Sequence, residues 1–275
     1  MALKVLVIGS TGYIGEAVVE ELKNRGHEVL EAGRTSEMHE VDITQKEDIE
    51  SLPDVDVVVN TAGAGKINGL EKDIPGWDEV NVEGVKNLAE RFKDRYFVHV
   101  SSLASMGLVG SYYRNLEPSP SLPYSRSKRA SEVAVEQNFE DYMIIRPADV
   151  IDREKPPEML KKLSKIGIMP VNQKKTVAIK RDLLAELVAE AVEAQLESPV
   201  LAAREYMPEE LARETGLNGH PVEVPDILIM FLGYLGELLR FSGFRVPGLV
   251  RAKSITSYQK VLHQEEVQKL LEKKS

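Results

Sequence analysis

The 275-residue chain contains no cysteine. Disulfides, thiolate nucleophiles and cysteine-ligated zinc are therefore excluded. Histidine is scarce as well. The five residues His27, His39, His99, His220 and His263 are scattered, and none stands at metal-ligand spacing from another. Positive charge is in deficit, with 35 Lys and Arg against 44 Asp and Glu and a net charge of -9. That balance argues against a nucleic-acid binder, whose affinity rests on neutralising phosphates, and against adsorption to an anionic membrane surface. The longest apolar run, Ile227 to Gly236, falls well short of the ~20 residues that a membrane-spanning helix needs. The opening MALKVLVIGSTG enters a strand pattern at once, without the apolar core and cleavage site of a signal peptide. The expectation is a cytoplasmic, enzyme-sized protein with no integral membrane segment.

What is present is an alternation of strand and helix signals. KVLVIG, DVVVN, YFVHVS and YMIIRP are short, nearly continuous apolar runs rich in β-branched residues. Such runs suit strands buried on both faces of a parallel sheet. HEVLEAG is a more polar strand candidate, and HEVDI another short one. Between them lie helical patterns. Ile14, Val18 and Leu22 share a face with Ala17 beside them, Val80, Gly84, Leu88 and Phe92 share another, and Ala130, Val133, Ala134 and Gln137 continue a third. Repeated βα units imply a doubly wound sheet with right-handed crossovers. After about Ile151 the rhythm changes. DREKPPEM reads as a loop, KKTVAI as a strand, and RDLLAELVAEAVEAQL and PEELARETG as helices. An apolar helix over ILIMFLGYLGELLRFSGF and a charged final helix through YQKVLHQEEVQKLLEKK close the chain. The expected division is a nucleotide-binding domain over 1–150 and a small, mainly helical substrate region over 151–275, partly interleaved with the sheet.

Gly9, Gly12 and Gly15 follow the first strand directly and lead into the first helix. The G-x-x-G-x-x-G spacing differs from the usual G-x-G-x-x-G, but the mechanics are alike. One glycine makes the tight turn, one lets backbone approach a pyrophosphate, and one lets the helix pack close to the strand. The helix N-terminus then offers free N–H groups to phosphates. An NAD site wants a carboxylate at the end of the second strand, for the ribose 2′-hydroxyl. Here that end reads EAGRTS, with Gly33 and Arg34 where the acid should stand. Arg34 can fork onto a 2′-phosphate, Thr35 and Ser36 can add hydroxyls, and Glu31 is a competing acid earlier on the strand. NADP is therefore favoured over NAD. TAGAGKI resembles the end of a P-loop, but Asn60 and Ile67 occupy the positions that need Gly and Ser or Thr.

Tyr124 and Lys128 stand four residues apart on a predicted helix, which brings them to one face. Alone, such a pair is ordinary on a solvated helix. A free tyrosine titrates near ~10 and is a poor base at neutral pH. An ammonium within ~4–6 Å favours the phenolate and lowers that value.

The ordered set GSTGYIG, VVVNTAGAG, NVEGVKNL, VHVSSLASMG, YSRSK and IIRPADV resembles the short-chain dehydrogenase/reductase superfamily, in its extended, epimerase/dehydratase-like branch, over roughly residues 3–150. The resemblance implies a Rossmann-type α/β fold and an NAD(P)-dependent enzyme. It implies that Tyr124 exchanges the proton, that Lys128 lowers its pKa and binds the nicotinamide ribose, and that Ser102 binds the substrate oxygen, with Ser101 the alternative. Asn81 would hold the surroundings of the lysine. Around the cofactor it implies Gly9, Thr11, Gly12, Tyr13, Ile14 and Gly15 in the loop, and Asp42 and Ile43 at the adenine. It further implies Thr61, Ala62 and Gly63 along the nucleotide and Pro147 near the carboxamide. No metal is implied, and the family suggests a homodimer through its fourth and fifth helices.

The sequence departs from sugar-nucleotide members of that branch. They continue the sixth strand into an Asn-Val-Tyr-Gly-Pro-like run, whereas this chain has RPADVIDRE, with Asp149 at the Asn-like position. The apolar stretch near 226–241 could roof an apolar pocket, pack in the core or form a subunit contact, with peripheral membrane docking a further reading that the acidic net charge disfavours. Tyr112 and Tyr113 fall where relatives touch substrate, and His99 reads as a core histidine. The leading expectation is an NADP-dependent oxidoreductase interconverting a ketone and a secondary alcohol, with a substrate that could be apolar. The alternatives are a sugar-nucleotide epimerase or dehydratase, and a non-catalytic NADP-binding regulator.

Overall fold

The computed structural model describes residues 1–64, 77–107, 111–113, 116–120, 123–153, 158–171, 176–194, 196, 198–223 and 260–262. Its elements in chain order are β1 (Lys4–Ile8), α1 (Tyr13–Asn24), β2 (Glu28–Gly33), β3 (His39–Glu40), α2 (Lys46–Glu50), β4 (Val57–Asn60), a π turn (Glu79–Glu83) running into α3 (Gly84–Phe92), β5 (Tyr96–Val100) and a 3₁₀ turn (Leu103–Met106). There follow β6 (Ser111–Tyr113), α4 (Pro123–Asn138), β7 (Tyr142–Pro147), β8 (Asp149–Ile151), α5 (Glu158–Lys165), β9 (Ile168–Val171) and β10 (Thr176–Lys180). The remainder are α6 (Arg181–Ala194), β11 (Val200–Ala202), β12 (Arg204–Tyr206), α7 (Pro208–Glu214), β13 (His220–Glu223) and β14 (Lys260–Leu262).

Seven strands form one parallel sheet in the order β11-β7-β5-β4-β1-β2-β3. The order reverses between β1 and β4, so the crevice beyond their carboxyl ends is the switch point where such sheets bind ligands. In register, Ile8 lies beside Asn60 on one side and Ala32 on the other. The glycine loop, the Asn60–Gly63 loop and the end of β2 therefore leave the sheet side by side.

Side chains alternate across each strand. Val5, Val7, Val57, Val59, Val98 and Val100 face one way and meet Val18 and Leu22 of α1 and Leu184, Leu187 and Val188 of α6. Leu6, Ile8, Val58, Phe97 and Ile144 face the other way and meet Val85, Leu88 and Phe92 of α3 with Ala134 and Val135 of α4. Full burial of such a side chain stabilises by roughly 1.5–3 kcal/mol, which explains why the strands read as continuous apolar runs. Beyond residue 150, β11 joins the edge of this sheet and α6 packs on its first face, while β10 pairs with β8 and β12 in a smaller sheet.

Two features differ from the sequence expectations. Lys260–Leu262, read as part of a final helix, is a strand paired parallel with Ser111–Tyr113. An unpaired strand edge takes a partner of adequate β-propensity in preference to local helix formation. On α4, Ser127, Lys128, Ser131 and Glu132 are buried beside Ala134 and Val135, whereas Gln137 of the face read from the pattern is exposed. Much of the buried side of this helix is polar, which hydrophobic periodicity does not reveal. Tyr112 and Tyr113 fall on β6. The apolar stretch near 226–241 lies outside the described residues.

Candidate active site

At the carboxyl end of β1 the chain turns at Gly9, whose φ of 80° lies in the left-handed region that favours glycine. A Cβ there would stand 2.8 Å from the Ala62 nitrogen. A Cβ at Gly15 would run into the Gly9 carbonyl and Thr61 Oγ1. The Thr61 hydroxyl donates to the Ile8 carbonyl at 2.8 Å and so locks the β4 loop onto the turn. Gly12 caps α1, and the first N–H groups of a helix have no acceptor within it. The glycines thus let the turn pack tightly on itself and on the β4 loop, and a tight turn leading into a helix N-terminus fits a dinucleotide pyrophosphate. Arg181, at the start of α6, buttresses the loop from outside. Its guanidinium donates to the Tyr13 carbonyl and to Glu16, and lies 4.6 Å from the centre of the Tyr13 ring. The sequence reading missed this residue, which lies 168 positions from Tyr13.

At the end of β2, Arg34 and Thr35 are exposed, and Thr11 and Thr35 share a hydroxyl hydrogen bond of 2.7 Å. Glu31, the competing acid, is turned to Lys23 at 2.7 Å. Ser36 is buried and donates to the Glu31 carbonyl, so its hydroxyl is occupied within the fold. The Asp42 carboxyl is held below its usual range, first by the Thr44 backbone N–H, then by the Thr44 hydroxyl and the charge of Arg34 against the effect of burial. Ile43 is buried and packs where a Cβ on Gly84 would stand.

Gly63, Asn81 and Lys128 converge. A Cβ on Gly63 would stand 2.9 Å from Lys128 Nζ and 3.4 Å from Asn81 Oδ1. Asn81 sits in the π turn, a distortion common at functional sites. Its Oδ1 accepts from the Ala64 N–H at 2.8 Å. Its Nδ2 donates to the Ala64 carbonyl at 2.9 Å and to Ser127 Oγ at 2.8 Å. The β4 loop is thereby tied to α4. Burial pushes the Lys128 ammonium down to about 8, against the pull of the Glu132 charge. Tyr124 stands one turn earlier on α4, half-buried, and meets the buried Trp77 edge-on at 6.3 Å between ring centres.

Ser102 leaves β5 and caps the 3₁₀ turn, its Oγ accepting from the Ala104 N–H at 3.2 Å. Its neighbour Ser101 is committed elsewhere, donating to Glu132 Oε1 at 2.6 Å, as does Ser105. Of the two serines, Ser102 is the one whose proton no described residue takes. Pro147 ends β7, directly after Arg146.

Glu132 and Arg146 escaped the sequence reading. Glu132 is fully buried, and Arg146 forks onto it from β7 at 3.0 and 2.9 Å. Arg129 adds a contact of 3.1 Å. Burial drives the Glu132 carboxyl up, but the Arg146 hydrogen bonds and charge, with Ser101 and Ser105, outweigh it and hold it below the usual carboxylate range. The available signal was a glutamate four residues after Lys128 and an arginine inside an apolar strand. His99 is buried in a second polar chain. Ser131 Oγ donates to the Lys128 carbonyl at 2.8 Å, so His99 Nε2 must donate to Ser131 Oγ at 3.0 Å and His99 Nδ1 accepts from Asn60 Nδ2 at 3.3 Å. Burial and the Lys128 charge push the imidazole down to about 3, against Glu132, so it is neutral. Among the described residues no cluster of acidic and histidine side chains is arranged to hold a metal, and no helix is long and apolar enough to cross a membrane.

The model of the NAD dependent epimerase/dehydratase family matches residues 5–187, and the chain belongs to that family. A Haloferax volcanii protein described as a "probable low-salt glycan biosynthesis reductase Agl14" is 33% identical over 153 residues, which cover 51% of this chain and 51% of that protein. The dTDP-4-dehydrorhamnose reductase of Mycolicibacterium smegmatis is 29% identical over 154 residues, covering 54% of this chain and 46% of its own. The chain thus spans about half the length of these two relatives. In structure, the dTDP-4-dehydrorhamnose reductase of Bacillus anthracis, solved in complex with NADP, superposes with a TM-score of 0.69 over 94% of this chain and 99% of that one. At 16% identity that likeness is one of fold.

Proposed function

We propose that this family member is an NADP-dependent reductase that converts a ketone to a secondary alcohol, and that the ketone is carried on a sugar nucleotide or a similar polyhydroxylated substrate. The observation that carries the reading is the buried Lys128, aimed at Gly63 and one helical turn from Tyr124. The glycine cradle, the β4 loop and Arg34 would hold the dinucleotide, with Arg34 and Thr35 toward a 2′-phosphate. Glu31, the acid that an NAD site would turn to the ribose, is paired with Lys23 at 2.7 Å. When bound, the nicotinamide supplies the hydride. Ser102 would donate a hydrogen bond to the substrate carbonyl oxygen. Tyr124 would give that oxygen its proton as the carbonyl carbon is reduced, and the Lys128 ammonium would favour the phenolate that remains.

The substrate class draws on the glycan and dTDP-4-dehydrorhamnose reductase names of the matched relatives. The loss of the Tyr-Gly-Pro run after β7 argues only against the nucleotide-sugar pocket of that particular form. A homodimer belongs to the same proposal, tested by light scattering against the chain mass of 30.7 kDa. The direct test of the chemistry is Tyr124→Phe, assayed with NADPH and dTDP-4-dehydrorhamnose. Turnover is expected to fall by roughly 10²–10⁴-fold while NADPH still binds. Turnover close to the parent value would remove Tyr124 from the reaction. A second reading, in which hydride leaves and returns to the same bound nucleotide, is favoured by the family's epimerase and dehydratase members and differs in cofactor stoichiometry.

A further inference from the structure

A single carboxylate joins three segments of the site. Glu132 Oε1 accepts the hydroxyls of Ser101 and Ser105, both at 2.6 Å. One of those serines precedes Ser102 and the other lies inside the turn it caps, so one oxygen holds the chain on both sides of Ser102. The same carboxylate lies four residues after Lys128 on α4, which puts the two on one helix face. Arg146 grips both carboxylate oxygens from β7, one residue before Pro147. A buried ion pair on its own would need neither serine.

We infer that Glu132 is a positioning residue, which sets the Ser102 turn and the Lys128 turn of α4 against each other through the hydroxyls of Ser101 and Ser105. Ser101→Ala/Ser105→Ala frees the serine turn while leaving the ion pair with Arg146 whole. Glu132→Gln also removes the negative charge that supports the Lys128 ammonium. The charged groups around Glu132 are Arg146 from β7 and Arg129 and Lys128 from its own helix, and the neutral His99 lies near on β5. Without the carboxylate, Lys128 sheds its proton at lower pH.

The inference rests on the Ser102, Tyr124 and Lys128 reading, so the test has two readouts. The first is turnover of dTDP-4-dehydrorhamnose with NADPH. The second needs no turnover: the titration of Lys128, followed by lysine side-chain NMR against pH and assigned by comparison with Lys128→Met. In Ser101→Ala/Ser105→Ala, kcat is expected to fall about tenfold, as loosened orientation alone can cost that much or more, with the KM for NADPH and the Lys128 titration unchanged. In Glu132→Gln, the Lys128 midpoint is expected to fall below that of the parent, as removal of a nearby carboxylate requires. If Glu132→Gln does not fold, Glu132→Gln/Arg146→Gln, which strands neither charge of the pair, takes its place for the turnover readout, with kcat again expected to fall. Two results overturn the inference: a serine double variant with the parent kcat and only a lower melting temperature, or a Glu132→Gln variant with an unmoved Lys128 midpoint. A parent without turnover whose Lys128 midpoint still responds to Glu132 would sink the reductase reading and leave the electrostatic link between Glu132 and Lys128 standing.

Discussion

Lys128 Nζ stands where a side chain at position 63 would begin, 2.9 Å from the ideal Cβ of that glycine. Position 63 is exposed at the mouth of the crevice, so the lysine reaches from α4 through the core to the loop that follows β4. Gly63→Ala displaces only the tip of a flexible side chain and is expected to leave the melting temperature nearly unchanged. Its effect falls on the nucleotide, with Kd for NADPH rising about tenfold, or ~1.4 kcal/mol. Titration calorimetry on the variant checks this.

Gly15→Ala is the contrasting case. The new methyl meets the Gly9 carbonyl and Thr61 Oγ1, which are fixed by the loop's own hydrogen bonds. Overpacking of this kind costs about 1–3 kcal/mol. Both the melting temperature and NADPH affinity are expected to fall, and thermal melts with and without NADPH separate the two effects.

Arg34→Asp tests the choice of cofactor. Arg34 is exposed beside Asp42, while Glu31 pairs with Lys23. The variant is expected to lose about 2 kcal/mol of NADPH binding, the scale of a charge-assisted bond to phosphate, and to bind NADH little changed. Equal weakening of both nucleotides would defeat the assignment.

Lys128 also carries a stability signature. Burial lowers its pKa from 10.5 to about 8, so below pH 8 the folded protein bears a buried ammonium whose cost is roughly 3 kcal/mol. Between pH 8 and 10.5 the unfolded chain binds the extra proton, so this contribution to stability rises with pH. Lys128→Met is therefore expected to be more stable than the parent at pH 7, with the difference shrinking as the pH approaches 10.5. Urea melts of both proteins across that range give the comparison. A constant difference would show that the lysine is not the titrating group.

Much of the scaffold could be read directly. The four main-sheet strands with apolar runs and the glycine turn follow from periodicity and loop chemistry, and the order of motifs singled out Asn81, Tyr124 and Lys128 as site candidates. Legibility fails where burial is polar. The inner face of α4 is made of Ser127, Lys128, Ser131 and Glu132, residues that a hydrophobic pattern assigns to solvent. Their partners come from β5 (His99), the segment and turn that follow it (Ser101, Ser105) and β7 (Arg146), so no local window holds the network. Arg181 escapes for the same reason, since its place beside Tyr13 depends on α6 crossing the first face of the sheet. The short strand at Lys260–Leu262 depends on an edge offered by Ser111–Tyr113, which the late sequence alone does not reveal.

The decisive measurement is the fate of the cofactor. Protein freed of nucleotide is mixed with NADPH and an excess of dTDP-4-dehydrorhamnose, and the reduced nicotinamide and the sugar product are counted together. Net reduction predicts one NADPH consumed per ketone reduced, over many turnovers, with the reaction lost in Tyr124→Phe. A sugar product formed with no net loss of NADPH, or activity that resides only in protein retaining a tightly bound NAD, would contradict it.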